Sequence, residues 1–153
     1  MPIGELCNRA VVFATRKTSI TEAAQLMRQY HVGDLVVMDL IKDKRVPVGI
    51  VTDRDIVIEI IGESLSVDDF TVGDIMSQQL ISVPETEGVI ETIRLMRANG
   101  IRRIPVINEE GGLAGIISVD DMMDLLAEEL TELAKVAPRE QAREAQTRVG
   151  LRP

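Results

Sequence analysis

An α/β fold made of two tandem β-α-β-β-α repeats packed as a pseudo-twofold pair is what this sequence predicts, on three observations. The first is a self-match. At an offset of 69 residues, Ile3-Gly4-Glu5-Leu6-Cys7 falls on Val72-Gly73-Asp74-Ile75-Met76, Leu26-Met27-Arg28 on Leu95-Met96-Arg97, and Val37 on Val106. After a hairpin three residues shorter in the second copy the offset is 66, and Gly49-Ile50-Val51-Thr52 falls on Gly115-Ile116-Ile117-Ser118. Apolar positions held in order across a whole unit mark an internal repeat. The second observation is the order of strand and helix patterns, which is the same in both copies. The third is composition: 153 residues, 45% hydrophobic and 27% charged, can bury a real core, which excludes a disordered or collagen-like chain.

The elements follow in order. Val11 to Ala14 and Leu80 to Val83 have strand character. Ser19-x-x-Glu22 is a capping box opening a helix whose stripe is Ile20, Ala23, Ala24, Met27 and Tyr30. Val89, Ile93 and Met96 repeat the stripe, and Asn99-Gly100 stops that helix. Leu35 to Met38 and Val46 to Val51 flank a polar turn, while Ile104 to Ile107 and Leu113 to Ile117 flank Glu109-Glu110-Gly111-Gly112. A second helix starts at Asp53 and at Val119. The expected divisions are repeat one at 3–61, a linker at 62–71, repeat two at 72–126, and a helix extension with a basic tail at 127–153. Ile56 to Ile61, and Met122 to Leu133, carry more apolar surface than one sheet can cover, so a homodimer through the second helices of both repeats is expected.

Charge and residue counts narrow the function. A net charge of −8 argues against duplex nucleic acid, and Phe13, Phe70 and Tyr30 are too few aromatics for a base-stacking platform. The segment from Lys135 onward, with Arg139, Arg143, Arg148 and Arg152 against Glu140 and Glu144, is net +3 and reads as a solvated, partly frayed tail, or one that docks on an acidic neighbour. Cys7 is the single cysteine; it aligns with Met76 and reads as a small buried hydrophobe. The N-terminus has no signal-peptide pattern and no apolar run approaches the roughly 20 residues of a membrane span, so a cytoplasmic location is expected, with no membrane partner. His31, the one histidine, has no second histidine to help hold a metal. No phosphate-loop, dinucleotide or Ser-His-Asp pattern is present, so no catalytic residue, metal or cofactor is expected and the chain does not read as an enzyme.

Chemistry gathers in GIVTDRD, residues 49–55, and GIISVDD, residues 115–121. Gly49 and Gly115 permit close backbone approach at a strand. Ile50 and Ile116 offer apolar surface to a flat ring; Ala14 and Val83 join them as candidates for the wall of that ring. Thr52 and Ser118 stand at a helix start, where free N–H groups favour a phosphate. Asp55 and Asp121, three residues on, can accept from ribose hydroxyls. The same spacing is also a plain helix cap, stabilising by about 1 kcal/mol with no ligand; its duplication at equivalent strand ends favours the ligand reading. Arg102 and Arg103 are either a solvated pair or a phosphate clamp.

These residues, with IRRIPVI at 101–107, resemble a cystathionine-β-synthase (CBS) domain pair, a stand-alone Bateman module, over about residues 3–130. Copy one departs from the pattern, with Val36 where copy two has Pro105. The resemblance implies a regulatory module that binds an adenosine-containing ligand (AMP, ADP or ATP, with S-adenosylmethionine or NADH possible) in clefts between the repeats. It also implies pairs assembled as flat dimers, and an effector protein the sequence leaves unknown. The rival is a scaffold in which the caps are only caps. The clefts should be unequal. Arg54 and Arg103 flank Asp55, whereas their counterparts, Asp120 and Asp34, flank Asp121 and repel a phosphate.

Overall fold

A computed structural model of the chain describes residues 1–148. Arg152, expected in the basic tail, lies outside the described residues. The chain divides into two units, Met1–Ser118 and the helices from Val119 onward.

In the first unit, β1 (Phe13–Ala14) leads to α1 (Ile20–Tyr30), the hairpin β2 (Asp34–Ile41) and β3 (Lys44–Thr52), and then α2 (Asp53–Asp55), which runs on as a π-helical turn, Ile56–Ile61. The second copy gives α3 (Val72–Ile75), β4 (Val83–Pro84), α4 (Val89–Asn99), β5 (Arg103–Ile107) and β6 (Leu113–Ser118). Each copy has its own three-stranded sheet, ordered β1-β2-β3 and β4-β5-β6, with the first pair parallel and the second antiparallel. The strands before α1 and α4 are only two residues long, shorter than their apolar pattern suggests.

Local chemistry sets the helix ends. Ser19 Oγ accepts from Glu22 N at 3.1 Å and opens α1. His31 closes it at φ 54°, the left-handed position that Gly100 fills at φ 63° after α4. Ile20, Ala23 and Met27 are buried as the stripe requires, but Ala24 and Tyr30 lie on the exposed side, because 3.6 residues per turn carries them off the packed face. In copy two Thr92 replaces Ala23; it is fully buried, and its hydroxyl donates to Gly88 O at 2.8 Å.

The two copies are joined by exchange. The segment before β1 leaves its own copy and hydrogen-bonds to copy two: Ile3 N donates to Glu87 O, Gly4 N to Glu85 O, and Asn8 exchanges both backbone bonds with Ile116. The equivalent segment of copy two returns the gesture: Val72 N donates to Thr18 O, Gly73 N to Arg16 O, and Ser77 N to Ile50 O. Val72 and Met76 thereby complete the core around Ala14, Ile20, Leu35, Val37 and Val51. Gly49 and Gly115 mark where the exchanged segments press on the strands. A Cβ at Gly49 would stand 2.9 Å from Ser77 O, and one at Gly115 2.7 Å from Asn8 O and 2.6 Å from Cys7 Sγ. The close approach expected at these glycines is therefore an approach of the partner repeat's backbone. Cys7, expected to be buried, is only partly so, because it sits on the exchanged entry segment; its thiol donates to Gly4 O at 3.5 Å, and partial burial pushes its pKa up against the opposing influence of Arg9.

In the second unit, α5 (Val119–Ala134) is followed by α6 (Val136–Thr147). The basic segment is thus helical over Val136–Thr147, not frayed. Along α5, Met123, Leu126, Leu130 and Leu133 are each 48–68% exposed. No helix among the described residues is long and apolar enough to cross a membrane.

Gly115→Ala should lower stability by about 1–3 kcal/mol, since backbone as well as the Cys7 side chain must shift. Gly88→Ser has open space around the new Cβ and installs the cap that Ser19 provides in copy one, so it should gain a few tenths of a kcal/mol. Thermal melts of both variants check the opposite signs.

Candidate functional site

The exchange brings β3 of copy one against the segment that follows α3 in copy two. Between them lies a cavity of about 370 Å³. Ile50, Thr52, Arg54 and Asp55 line it from copy one, and Arg103 lines it from copy two, so five of the predicted site residues meet in one place. Ala14 and Val83 do not line it; both are buried in their sheets, at β1 and β4. Ile116 is tied to Asn8 on β6. Ser118 ends β6, where it pairs with Arg103 in the ladder, and Asp121 lies in the first turn of α5.

Sequence reasoning missed half of the wall. Ser77, Gln79, Leu80 and Ile81 follow the exchanged segment, and Gly100 and Ile101 lead into β5, beside Arg102, which the sequence did offer as part of a phosphate clamp. The available signal was the offset itself, since Ser77 is the counterpart of Asn8 and each copy's entry segment had no partner of its own. Pro105 adds a local consequence. In copy one Val36 N donates to Val12 O at 3.3 Å. Pro105 has no N–H, so the equivalent carbonyl, that of Ile81 on the cavity wall, lacks that strand donor.

Asp55 and Thr52 form a full capping box: Asp55 N donates to Thr52 Oγ1 at 3.1 Å, and Thr52 N donates to Asp55 Oδ2 at 2.9 Å. The cap reading is therefore true here, and it leaves room for the other: Thr52 keeps its hydroxyl proton and Asp55 keeps Oδ1. The expected free N–H groups at this helix start are not free. Asp53 N donates to Gly33 O at 2.9 Å, Arg54 N to Asp53 Oδ1 at 2.8 Å, and Asp55 N to Thr52. Binding of an anion here falls to side chains.

Arg103 carries the main electrostatic feature. Its Nε lies 3.1 Å from Asp34 Oδ1, with the Arg103 side chain 37% exposed and that of Asp34 14%. Asp34, expected beside Asp121, has its carboxylate engaged with Arg103, its own counterpart 69 residues on; each is the first residue of its central strand. Burial raises the Asp34 pKa, Arg103 opposes this, and Asp53 adds to it. Among the described residues no cluster of His, Cys, Asp and Glu could hold a metal ion.

The CBS domain pattern matches residues 3–62 and 72–128. An uncharacterized protein of Methanopyrus kandleri is 34% identical over 123 residues, 80% of this chain and 61% of that protein. The chain thus spans under two thirds of that relative's length. The crystal structure of a CBS-domain containing protein from Agrobacterium tumefaciens superposes with a TM-score of 0.71 at 29% identity, covering 82% of this chain and 98% of that one. A CBS domain pair solved in complex with 5′-methylthioadenosine and S-adenosyl-L-methionine has the same fold, with a TM-score of 0.71 at 23% identity over 82% of this chain and 99% of its own.

A raised carboxyl pKa means the folded state holds its proton at a pH where the unfolded chain has lost it. Stability contributed by Asp34 is therefore lost as pH rises from the ordinary aspartate range through the raised value. Asp34→Asn lacks this titration. Melts across about pH 4 to 7 should show the difference between variant and wild type moving in the variant's favour as pH rises.

Proposed function

Because the chain belongs to the CBS domain family, as a tandem pair of that regulatory ligand-binding unit, we propose that it senses an adenosine-containing ligand in the cavity shared by Asp55 and Arg103. One observation carries the reading. A single space of about 370 Å³, within the range of small-molecule sites, collects apolar walls, the Asp55 carboxylate and cations from both repeats. Ile50, Leu80 and Ile81 flank the ring. The Ile81 carbonyl, without its strand donor, is an acceptor for an exocyclic amino group. Asp55 Oδ1 accepts from a ribose hydroxyl. The Thr52 hydroxyl, Arg54 and Arg103 take the anionic group. S-adenosylmethionine, AMP and ATP all belong to this class, and the bound neighbour supports it at the level of fold. The ligand changes nothing covalently; it acts by differential affinity for two states of the module, read by a partner protein.

The second part of the proposal is assembly. Met123, Leu126, Leu130 and Leu133 recur at spacings of three and four, a seam suited to a second copy of the chain.

Asp55→Asn keeps an acceptor for Thr52 N and removes the charge. It should weaken AMP binding by about 1.5–3 kcal/mol in calorimetry with little change in melting temperature. Asp55→Ala should lose the binding and also about 1 kcal/mol of stability. Melting losses with unchanged affinity would leave Asp55 as a cap alone and sink the site. For assembly, Leu126→Glu should move the light-scattering mass toward the 16.9 kDa monomer, and a monomeric wild type at high concentration refutes the seam.

A further inference from the structure

We propose that Asp34 sets the charge selectivity of the cavity, by competing with the anionic group of a ligand for Arg103; this rests on the adenosyl reading above. Asp34 and Arg103 are counterparts, 69 residues apart, each the first residue of a central strand. A residue close to a pseudo-twofold axis meets its own counterpart, and here the two copies place opposite charges at that point, 3.1 Å apart. Asp34 cannot swing away easily. Its backbone pairs with Thr52 in the β2–β3 ladder, and the neighbouring Gly33 O accepts from Asp53 N. Arg103 therefore stands between a mostly buried carboxylate and the open cavity, and its charge is partly offset before any ligand arrives. Each negative charge that a ligand places beside Arg103 also meets Asp34, with repulsion weakly screened at a half-buried site. The cavity thus favours an adenosyl ligand with little negative charge next to the ribose over a polyphosphate, and this discrimination comes from a repulsive group.

Calorimetry on the full chain tests this with adenosine, AMP, ATP and inorganic pyrophosphate against wild type and Asp34→Asn. The Asn variant should bind AMP about tenfold tighter, ATP by a larger factor, and adenosine within about twofold. Adding Arg103→Gln should erase the gain. Asp34→Ser, uncharged and smaller, should give the same order of ligands, which separates charge from shape. Equal changes for adenosine and AMP, or none for either, overturn the proposal. If neither protein binds the adenosine series but pyrophosphate tightens in Asp34→Asn, the adenosyl reading falls and the selectivity role stands. If pyrophosphate is also unchanged, both fall.

Discussion

The rest of the structure depends on the reciprocal backbone exchange between the repeats. Neither three-stranded sheet is finished by its own copy: the face around Leu35 and Val51 is closed by Val72 and Met76 from the other repeat. Fully buried apolar groups of this size are worth about 1.5–3 kcal/mol each, so the exchanged segments contribute a substantial part of a stability that is small overall. The hydrogen bonds that hold them, such as Gly4 N to Glu85 O at 2.8 Å and Gly73 N to Arg16 O at 2.9 Å, come in equivalent pairs. This symmetry explains the positions of the glycines. Gly4 and Gly73 sit where a Cβ would meet the other copy at 2.7–3.0 Å, and Gly49 and Gly115 do the same on the strands.

The cavity is a by-product of that exchange, and its chemistry is economical. The capping box uses Thr52 and Asp55 to join the start of α2 to the end of β3, and both residues also line the cavity. The cap does not exhaust either side chain, since a carboxylate has two oxygens and a hydroxyl both accepts and donates. Arg103 is held by Asp34 and also lines the cavity.

Much of this was legible in the sequence. The repeat, the order of elements, the αL stop at Gly100 and the Asp55–Thr52 pair could be read because each is a local signal: a period, a cap, or a motif present twice. What escaped reading is non-local. Nothing in Leu80 or Gln79 says that they will face Ile50, and nothing in Asp34 says that it will meet Arg103. Both facts follow from where one repeat lies on the other. The burial of Ala23 against the exposure of Ala24 shows the same limit within one helix, where a single alanine signal serves two faces. At the helix start after Thr52 the two cases mix: Asp53 N finds Gly33 O, which only the fold brings near, while Arg54 N is taken by the side chain of the adjacent Asp53, a local partner.

The exchange also bears on how fast the unit forms and comes apart. The paired bonds between Asn8 and Ile116 join residues from opposite ends of the first unit, so nearly the whole of that unit must be gathered before that contact yields anything. Such long-range closure is an entropic cost met early and rewarded late, and it slows folding relative to chains of local contacts. The same topology slows escape. A ligand lodged between Ile50 and Leu80 touches both repeats, so it stabilises only the state in which they are already engaged. Contacts made after the folding barrier act on the unfolding rate. Occupancy of the cavity should therefore register chiefly in the lifetime of the assembled repeats, a quantity that proteolysis and turnover can sense even when the average shape barely changes.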